Sequence, residues 1–448
     1  MSSPANLDIH ANNVSPPALV TSNRQQSHAQ AGDNGDRGLS KIRRHQLRRT
    51  SASLLPGERV KKCGQQPVGT TVTLHATHTG HHFAGVETCG SVWHCPVCAA
   101  KITEGRREEI DAVLESHRKA GGAVYMMTLT IPHHRMQTCE ELRHVVRDVW
   151  RFVKQGSPWK RAKAKFGYLG DVRAMEVTHG HDGWHPHLHI LVFMHPDATE
   201  DDAEQLGFYF FDRWARSVER KGYGQCSADA FTFDRVTEDS GAAEYVGKWG
   251  ASLELTKAHT KLAGNGGRTP WQILDDCHRH GSKRDKALFR EYAHAFKGAR
   301  QLTWGGDIRH RYDNSPEATD EELAASKELP ETHIATLGNA LWKHIRRQQI
   351  IPHVLVEADQ ADGVEGVIAL LRAQGLDVIQ REHQSLELGR RVPFLDLAPP
   401  SQTSPGIPPG TCPGTCPGSY REPYPPRNFN DLEDGMGITT SNHRKVNP

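Results

Sequence analysis

Apolar residues recur along this chain with two periods, and each period predicts an element. Leu142, Val145, Val146, Val149, Trp150 and Val153 form one stripe at helical spacing on an otherwise charged segment, which predicts an amphipathic helix. Residues 99–119, 202–220 and 241–249 read as further helices. Residues 124–131 are β-branched and apolar enough for a strand stopped by Pro132, with Tyr125, Met127, Leu129 and Ile131 on one face and Thr128 and Thr130 on the other. Residues 171–178 and 184–193 read as two strands joined by His179-Gly180-His181-Asp182-Gly183, a hairpin turn. Farther on, 353–357 reads as a strand and 363–374 as a helix of a small C-terminal unit.

The two ends lack either period. Residues 1–50 are rich in Ser, Asn, Gln, Ala and charge, so disorder is expected there. Residues 396–448 are rich in Pro and Gly and carry a short repeat, Gly410-Thr411-Cys412-Pro413-Gly414-Thr415-Cys416-Pro417-Gly418, a composition that buries too little apolar surface to offset its ordering entropy.

The His-rich strand is the sharpest chemical feature. His185, His187 and His189 alternate with Pro186, Leu188 and Ile190, so the imidazoles share one face while apolar residues hold the other to the core. A turn centred between His181 and Asp182 sets Glu176 opposite His187 and Thr178 opposite His185, on the imidazole face. Imidazole nitrogens with a carboxylate suit Mn²⁺ or another first-row divalent ion and can serve Mg²⁺, leaving positions open for a phosphate oxygen. The bland alternative is a solvated polar face, since the chain holds 28 histidines. In residues 241–249, Tyr245 and Lys248 stand three apart and share a helix face. A phenol needs a neighbouring positive charge to act as a nucleophile near neutral pH, and Lys248 and a metal supply it.

Cys89, Cys95 and Cys98 form a Cys-x5-Cys-x2-Cys run with Cys63 upstream, and four thiolates can close a tetrahedral structural zinc site. His94, His81 or His82 can replace Cys63 as fourth ligand. A redox reading of Cys95-Pro96-Val97-Cys98 lacks the strand and helix such chemistry uses.

Bulk properties narrow the class. A chain of 448 residues exceeds one average domain. Net charge is only +2, with pI near 8.1, so any DNA footprint must come from local clusters such as Arg43, Arg44, Arg48 and Arg49, or Lys160, Arg161, Lys163 and Lys165. Nine cysteines without a signal-like apolar stretch near Met1 argue for a reducing cytoplasm, and no apolar run is long enough to span a membrane.

Thr128-Leu129-Thr130, then His185-Pro186-His187-Leu188-His189, then Tyr245-Val246-Gly247-Lys248, in that order, resemble the HUH endonucleases, and specifically the single-tyrosine Rep proteins that initiate rolling-circle replication of small plasmids. The segment Glu291-Tyr292-Ala293-His294-Ala295-Phe296-Lys297-Gly298-Ala299-Arg300-Gln301-Leu302-Thr303-Trp304 resembles the end of that replication domain, and the resemblance spans roughly residues 59–309. It implies an α+β fold, a central antiparallel sheet with helices packed on one face. The organisation expected is a disordered tail (1–50), a cysteine-rich zinc module (51–105), the nicking domain (106–310), a small α/β unit (311–395) and a disordered tail (396–448).

The resemblance also implies that Tyr245 attacks a phosphodiester in a single-stranded or extruded origin segment, becoming joined to the 5′-phosphate and freeing a 3′-OH primer. His187 and His189 are then the metal ligands, with His185 and Glu176 as further candidates. Some relatives place a second tyrosine or a glutamate one turn before the nucleophile to finish the cycle. Gly241 stands there, which leaves Glu244 and Glu238 as candidates. No Gly-x4-Gly-Lys-Ser/Thr loop occurs, so strand separation falls to supercoiling or a separate host helicase. The rival readings are a transposase or relaxase sharing the chemistry, and a non-catalytic zinc-containing DNA-binding regulator.

Overall fold

Two five-stranded sheets organise the residues that the computed structural model describes, 34–77, 80–236, 266–325, 331–360, 363–381 and 385–389. In chain order the elements are α1 (Asn34–Leu54), a 3-10 turn (Arg59–Lys61), β1 (Thr71–Thr77), β2 (Gly80–Ala84), α2 (Pro96–Lys119), β3 (Val124–Thr130), α3 (Cys139–Val153), α4 (Gly156–Lys165), β4 (Tyr168–Gly180), β5 (Gly183–Met194), α5 (Glu200–Arg220), a second 3-10 turn (Ala228–Ala230) and β6 (Phe231–Arg235). Then come α6 (Pro270–Arg279), α7 (Lys283–Phe296), β7 (Leu302–Gly306), α8 (Ile308–Tyr312), α9 (Asp320–Ala325), β8 (Thr332–Gly338), α10 (Asn339–Arg347), α11 (Ile351–Ala358), α12 (Gly363–Ala373), β9 (Val378–Arg381) and β10 (Ser385–Leu388). The fold is mixed α+β.

The first sheet, in the order β6-β3-β5-β4-β7, is antiparallel throughout. Its central hairpin β4–β5 turns through His181 and Asp182, and the register sets Glu176 against His187 and Thr178 against His185. Only glycine fits the end of that turn. Gly183 has φ +92°, and a Cβ there would stand 2.8 Å from the Cα of Arg135. One sheet face is covered by α3, whose six stripe residues are all buried, together with α5 and α7. Each such side chain contributes roughly 1.5–3 kcal/mol when buried. Thr199 and Asp202 start α5 with a capping box, and Thr138 caps α3.

The opposite face differs from the expected one-sided arrangement. Ile110, Val113 and Leu114 of α2, with Ile308 of α8, cover Val124, Val172, Leu191 and Phe193. Helices therefore pack on both faces. Period two carries Leu191 and Phe193 to the same side as His185, His187 and His189, so one face of β5 is half core and half site.

The second sheet, in the order β2-β1-β8-β10-β9, joins strands far apart in sequence, with β8 and β10 parallel and the other pairs antiparallel. It packs on α10, α11 and α12 through Leu74, Leu337, Trp342, Val354 and Leu371.

Several expectations are corrected here. Residues 34–50, expected to be disordered, belong to α1, which runs on to Leu54, buries Leu47 and Leu54 and is anchored by ion pairs from Arg43 to Asp275 and from Lys41 to Asp359. Residues 353–357 belong to helix α11, with Pro352 in its first turn. A run of three apolar residues, Val354 to Val356, cannot separate strand from helix by period alone, and burial of Val354, Leu355 and Ala358 on one side decides for helix. Helix α2 runs unbroken across residue 105, and the β1–β2 hairpin, expected with the cysteines, joins the strands of 332–388 through the pairing of β1 with β8. The helix expected over 241–249 lies outside the described residues.

Candidate functional site

The hairpin positions the site. With β4 and β5 in register, Glu176 and His187 face each other and His189 follows on the same side. One Glu176 carboxylate oxygen, Oε2, stands 3.4 Å from Nε2 of His187 and 3.3 Å from Nε2 of His189. Both rings are aimed by their other nitrogen. Nδ1 of His187 donates to the backbone carbonyl of His185 at 3.2 Å, and Nδ1 of His189 lies 3.1 Å from Oγ1 of Thr128 on β3. The carbonyl partner places the proton of His187 on Nδ1 and leaves its Nε2 for a metal, while the Thr128 hydroxyl orients the His189 ring.

Electrostatics agree with a cation site. Burial opposes ionisation of the Glu176 carboxyl, but hydrogen bonds and charge from His187 and His189 hold it well below the usual carboxylate range. Burial disfavours the charged form of His187, and the Glu176 carboxylate outweighs it, so that imidazole sits above its ordinary value. Burial lowers His189. A divalent ion bound there would compete with protonation of these groups. The Glu176 side chain is 26% exposed while that of His189 is 5% exposed, so the cluster is open on one side only. Two imidazoles and one carboxylate on a flat strand pair leave coordination positions for a ligand.

His185 stands apart from this trio. Its Nδ1 lies 3.4 Å from Nδ1 of His133, in the loop after β3, and burial, then His187 and His133, push it down to about 4. His133 was missed from sequence. The signal lay in Ile131-Pro132-His133, which continues the strand whose Thr130 pairs with His187. Tyr245, Lys248, Glu244 and Glu238 lie outside the described residues.

The cysteines form a second cluster. Cys63, Cys89, Cys95 and Cys98 are all buried and none is in a disulfide. Their sulfurs stand 3.3 Å (Cys63–Cys98), 3.6 Å (Cys89–Cys98) and 3.7 Å (Cys95–Cys63) apart. A disulfide would need about 2.05 Å, whereas four thiolates at about 2.3 Å from zinc stand roughly 3.8 Å apart. Burial pushes the Cys95 thiol up, while the neighbouring sulfurs hold Cys98 well below its ordinary value. The cluster can hold zinc. His94, His81 and His82 point to Ala293, Asp359 and Glu331 respectively, which leaves Cys63 as the fourth member. Trp93, between the cysteines, packs on Phe296 of α7 and donates to the Ala299 carbonyl at 2.8 Å, so the cluster ties the start of α2 to the core under the first sheet.

Comparison with known proteins decides the family. Residues 81–349, more than half of the chain, match the family described as replication protein. The chain belongs to the replication protein family. Protein rep of Streptomyces lividans is 27% identical over an alignment of 378 residues that covers 68% of this chain and 80% of that protein. A neomycin resistance protein of Streptomyces cyanogenus is 28% identical over 169 residues, covering 30% of this chain and 39% of that protein. No solved structure gave a significant match. The family match takes in Glu176, His187, His189 and three of the four clustered cysteines, while Cys63 precedes it. No helix among the described residues of this replication protein is long and apolar enough to cross a membrane.

Proposed function

We propose that this replication protein is a plasmid initiator that starts rolling-circle synthesis by nicking one strand of origin DNA, using HUH-type chemistry with Tyr245 as nucleophile. The observation that carries the reading is the approach of one Glu176 oxygen to Nε2 of both His187 and His189, within 3.4 Å, on an open part of the first sheet. Bound there, Mg²⁺ or Mn²⁺ would supply Lewis-acid polarisation of a phosphate oxygen.

The chain's own residues do the rest. Glu176, His187 and His189 fix where the phosphate is held, and Thr128 together with the His185 carbonyl fixes the ring orientation. The Lys248 cation, three residues after Tyr245, lowers the cost of a phenolate. The phenolic oxygen bonds to phosphorus and the bond from phosphorus to the 3′ oxygen breaks. The proton lost by the phenol is matched by the one gained on the 3′ oxygen, which leaves as a primer hydroxyl. The phosphotyrosine ester preserves the bond energy for rejoining, with Glu244 or Glu238 as candidate bases for that closing step. The substrate is single-stranded or extruded origin DNA, with a host helicase as partner, and the site of action is the cytoplasm.

The test is incubation with Mn²⁺ and a labelled single-stranded origin oligonucleotide. A covalent adduct is expected from the parent chain and from neither Tyr245→Phe nor His187→Ala/His189→Ala. Intact DNA with the parent chain overturns the reading and favours the zinc-containing regulator.

A further inference from the structure

The basic cluster Lys160, Arg161, Lys163 and Lys165 belongs to α4, a ten-residue helix with four cations and no carboxylate. It lies on the outer surface of the helix layer over the sheet face opposite His187 and His189, with Trp159 and Ala162 buried against Tyr168 and Phe210. Its charges do not stand alone. Arg161 and Lys165 line one hollow together with Phe166 and Tyr209, and the Lys165 ammonium lies over the Phe166 ring at 4.9 Å. From Tyr209 the row continues along α5. Arg213 lies 5.7 Å from the Tyr209 ring and 5.0 Å from the Phe152 ring, and Arg220, at the other end of the row, lies 4.9 Å from the same Phe152 ring.

Cations and aromatic rings are therefore interleaved from Lys165 and Phe166, through the hollow shared with Arg161 and Tyr209, to Arg213, Phe152 and Arg220. The Arg213 and Arg220 guanidiniums are held by backbone carbonyls, while Arg216 between them pairs with Asp212. Arg213 donates to the carbonyls of Phe152 (3.0 Å) and Gln155 (3.3 Å), and Arg220 to that of Arg216 (3.2 Å), so the positive charge of Arg213 and Arg220 is not neutralised by these bonds. Phe152 is 37% exposed, one of the few large apolar side chains on the described surface. From Tyr209 to Arg220 the row extends on the order of 16 Å along α5. Fixed, planar cations interleaved with aromatic rings suit one ligand chemistry, a flexible phosphate chain that also offers base faces for stacking. A rigid duplex presents phosphates but no base faces.

We propose that this row is a track for single-stranded DNA, separate from the Glu176–His187–His189 centre and indifferent to sequence. A strand engaged at the metal face can then be held a second time on the far side of the sheet. Binding to the track needs no nicking, so its test stands apart from that of Tyr245 chemistry.

The measurement is fluorescence anisotropy of a labelled oligothymidylate, and of a duplex of equal length, with the full chain carrying Tyr245→Phe so that no covalent adduct contributes. Adding Arg161→Glu, Lys165→Glu and Arg220→Glu is expected to weaken oligothymidylate binding more than tenfold. The slope of log affinity against log salt should become shallower by about 2, since each single-strand phosphate contact contributes about 0.7. Circular dichroism and melting temperature are expected to match the parent, because all three side chains are on the surface. Phe152→Leu is expected to weaken the single strand severalfold and to leave the duplex unchanged. Unaltered affinity and salt slope in the triple variant overturn the track. Equal losses on single strand and duplex with Phe152→Leu silent on both overturn its assignment to single strands.

Discussion

The two ligand clusters of this replication protein make opposite use of the same principle. Cys63, Cys89, Cys95 and Cys98 close on themselves, all four buried, with Cys95 and Cys98 from the start of α2 and Cys63 and Cys89 from the chain before it. Glu176, His187 and His189 offer three ligands from one hairpin, with Glu176 partly exposed. A closed tetrahedral set spends every coordination position on protein and so contributes to folding, whereas an incomplete set leaves positions for a substrate. The difference teaches that the number of protein ligands, together with their exposure, separates a set closed on itself from one with room for a further ligand.

The largest expected effect breaks the closed cluster. Cys95→Ser, or stripping zinc with a strong chelator, is expected to unfold the region joining α1, α2 and α7, because metal binding there, on the order of 10 kcal/mol for structural zinc, is folding free energy. Zinc content per chain and the melting curve check it. If both are unchanged, the cysteines are only core. His189→Ala, by contrast, is expected to leave the melting temperature within a few degrees while adduct formation falls by at least about a hundredfold, the loss of roughly 3 kcal/mol of charge stabilisation. A variant that melts early but still nicks would invert the comparison.

Smaller effects sharpen it. Thr128→Val removes the partner of His189 Nδ1 and keeps the side-chain shape, so Mn²⁺ affinity should fall by about 10- to 100-fold with zinc content intact. Equal affinity in a calorimetric titration would show that Thr128 does not orient the ring. The smallest effect is that of pH. His187 must lose a proton to become a ligand, and Glu176 holds its pKa above the ordinary 6.5. Mn²⁺ affinity should therefore be full above that raised value and fall by up to about tenfold per pH unit below it. Affinity that stays flat from pH 8 to pH 6 would remove His187 from the ligand set.

Local periodicity made much of the site legible. Alternation along residues 184–193 and a two-residue turn were enough to place Glu176 against His187, because hairpin register depends only on turn length and pleat. The stripe from Leu142 to Val153 was legible as the buried face of α3 for the same kind of reason. Helix α1 was not, because its anchors are charged. Arg43 and Lys41 find Asp275 and Asp359 more than 200 residues away, and few of its own residues are apolar. The second sheet was equally hidden, since β1 pairs with β8 across a separation that no local pattern encodes. The proposed role of Tyr245 rests on the sequence motif alone.

Taken by itself, the amino-acid order determined which side chains share a strand or helix face, since those positions follow from a backbone repeat of two or 3.6 residues. It thereby settled the imidazole row, the pairing of carboxylate to ring and the knuckle Cys95–Cys98. Tertiary structure alone decided which rival completes the sulfur cluster, that α2 covers Leu191 and Phe193 but stops short of the histidines, and that α4 and α5 merge their charges into one surface. These outcomes depend on contacts between distant segments, whose free energy exists only once the chain has closed the loops between them.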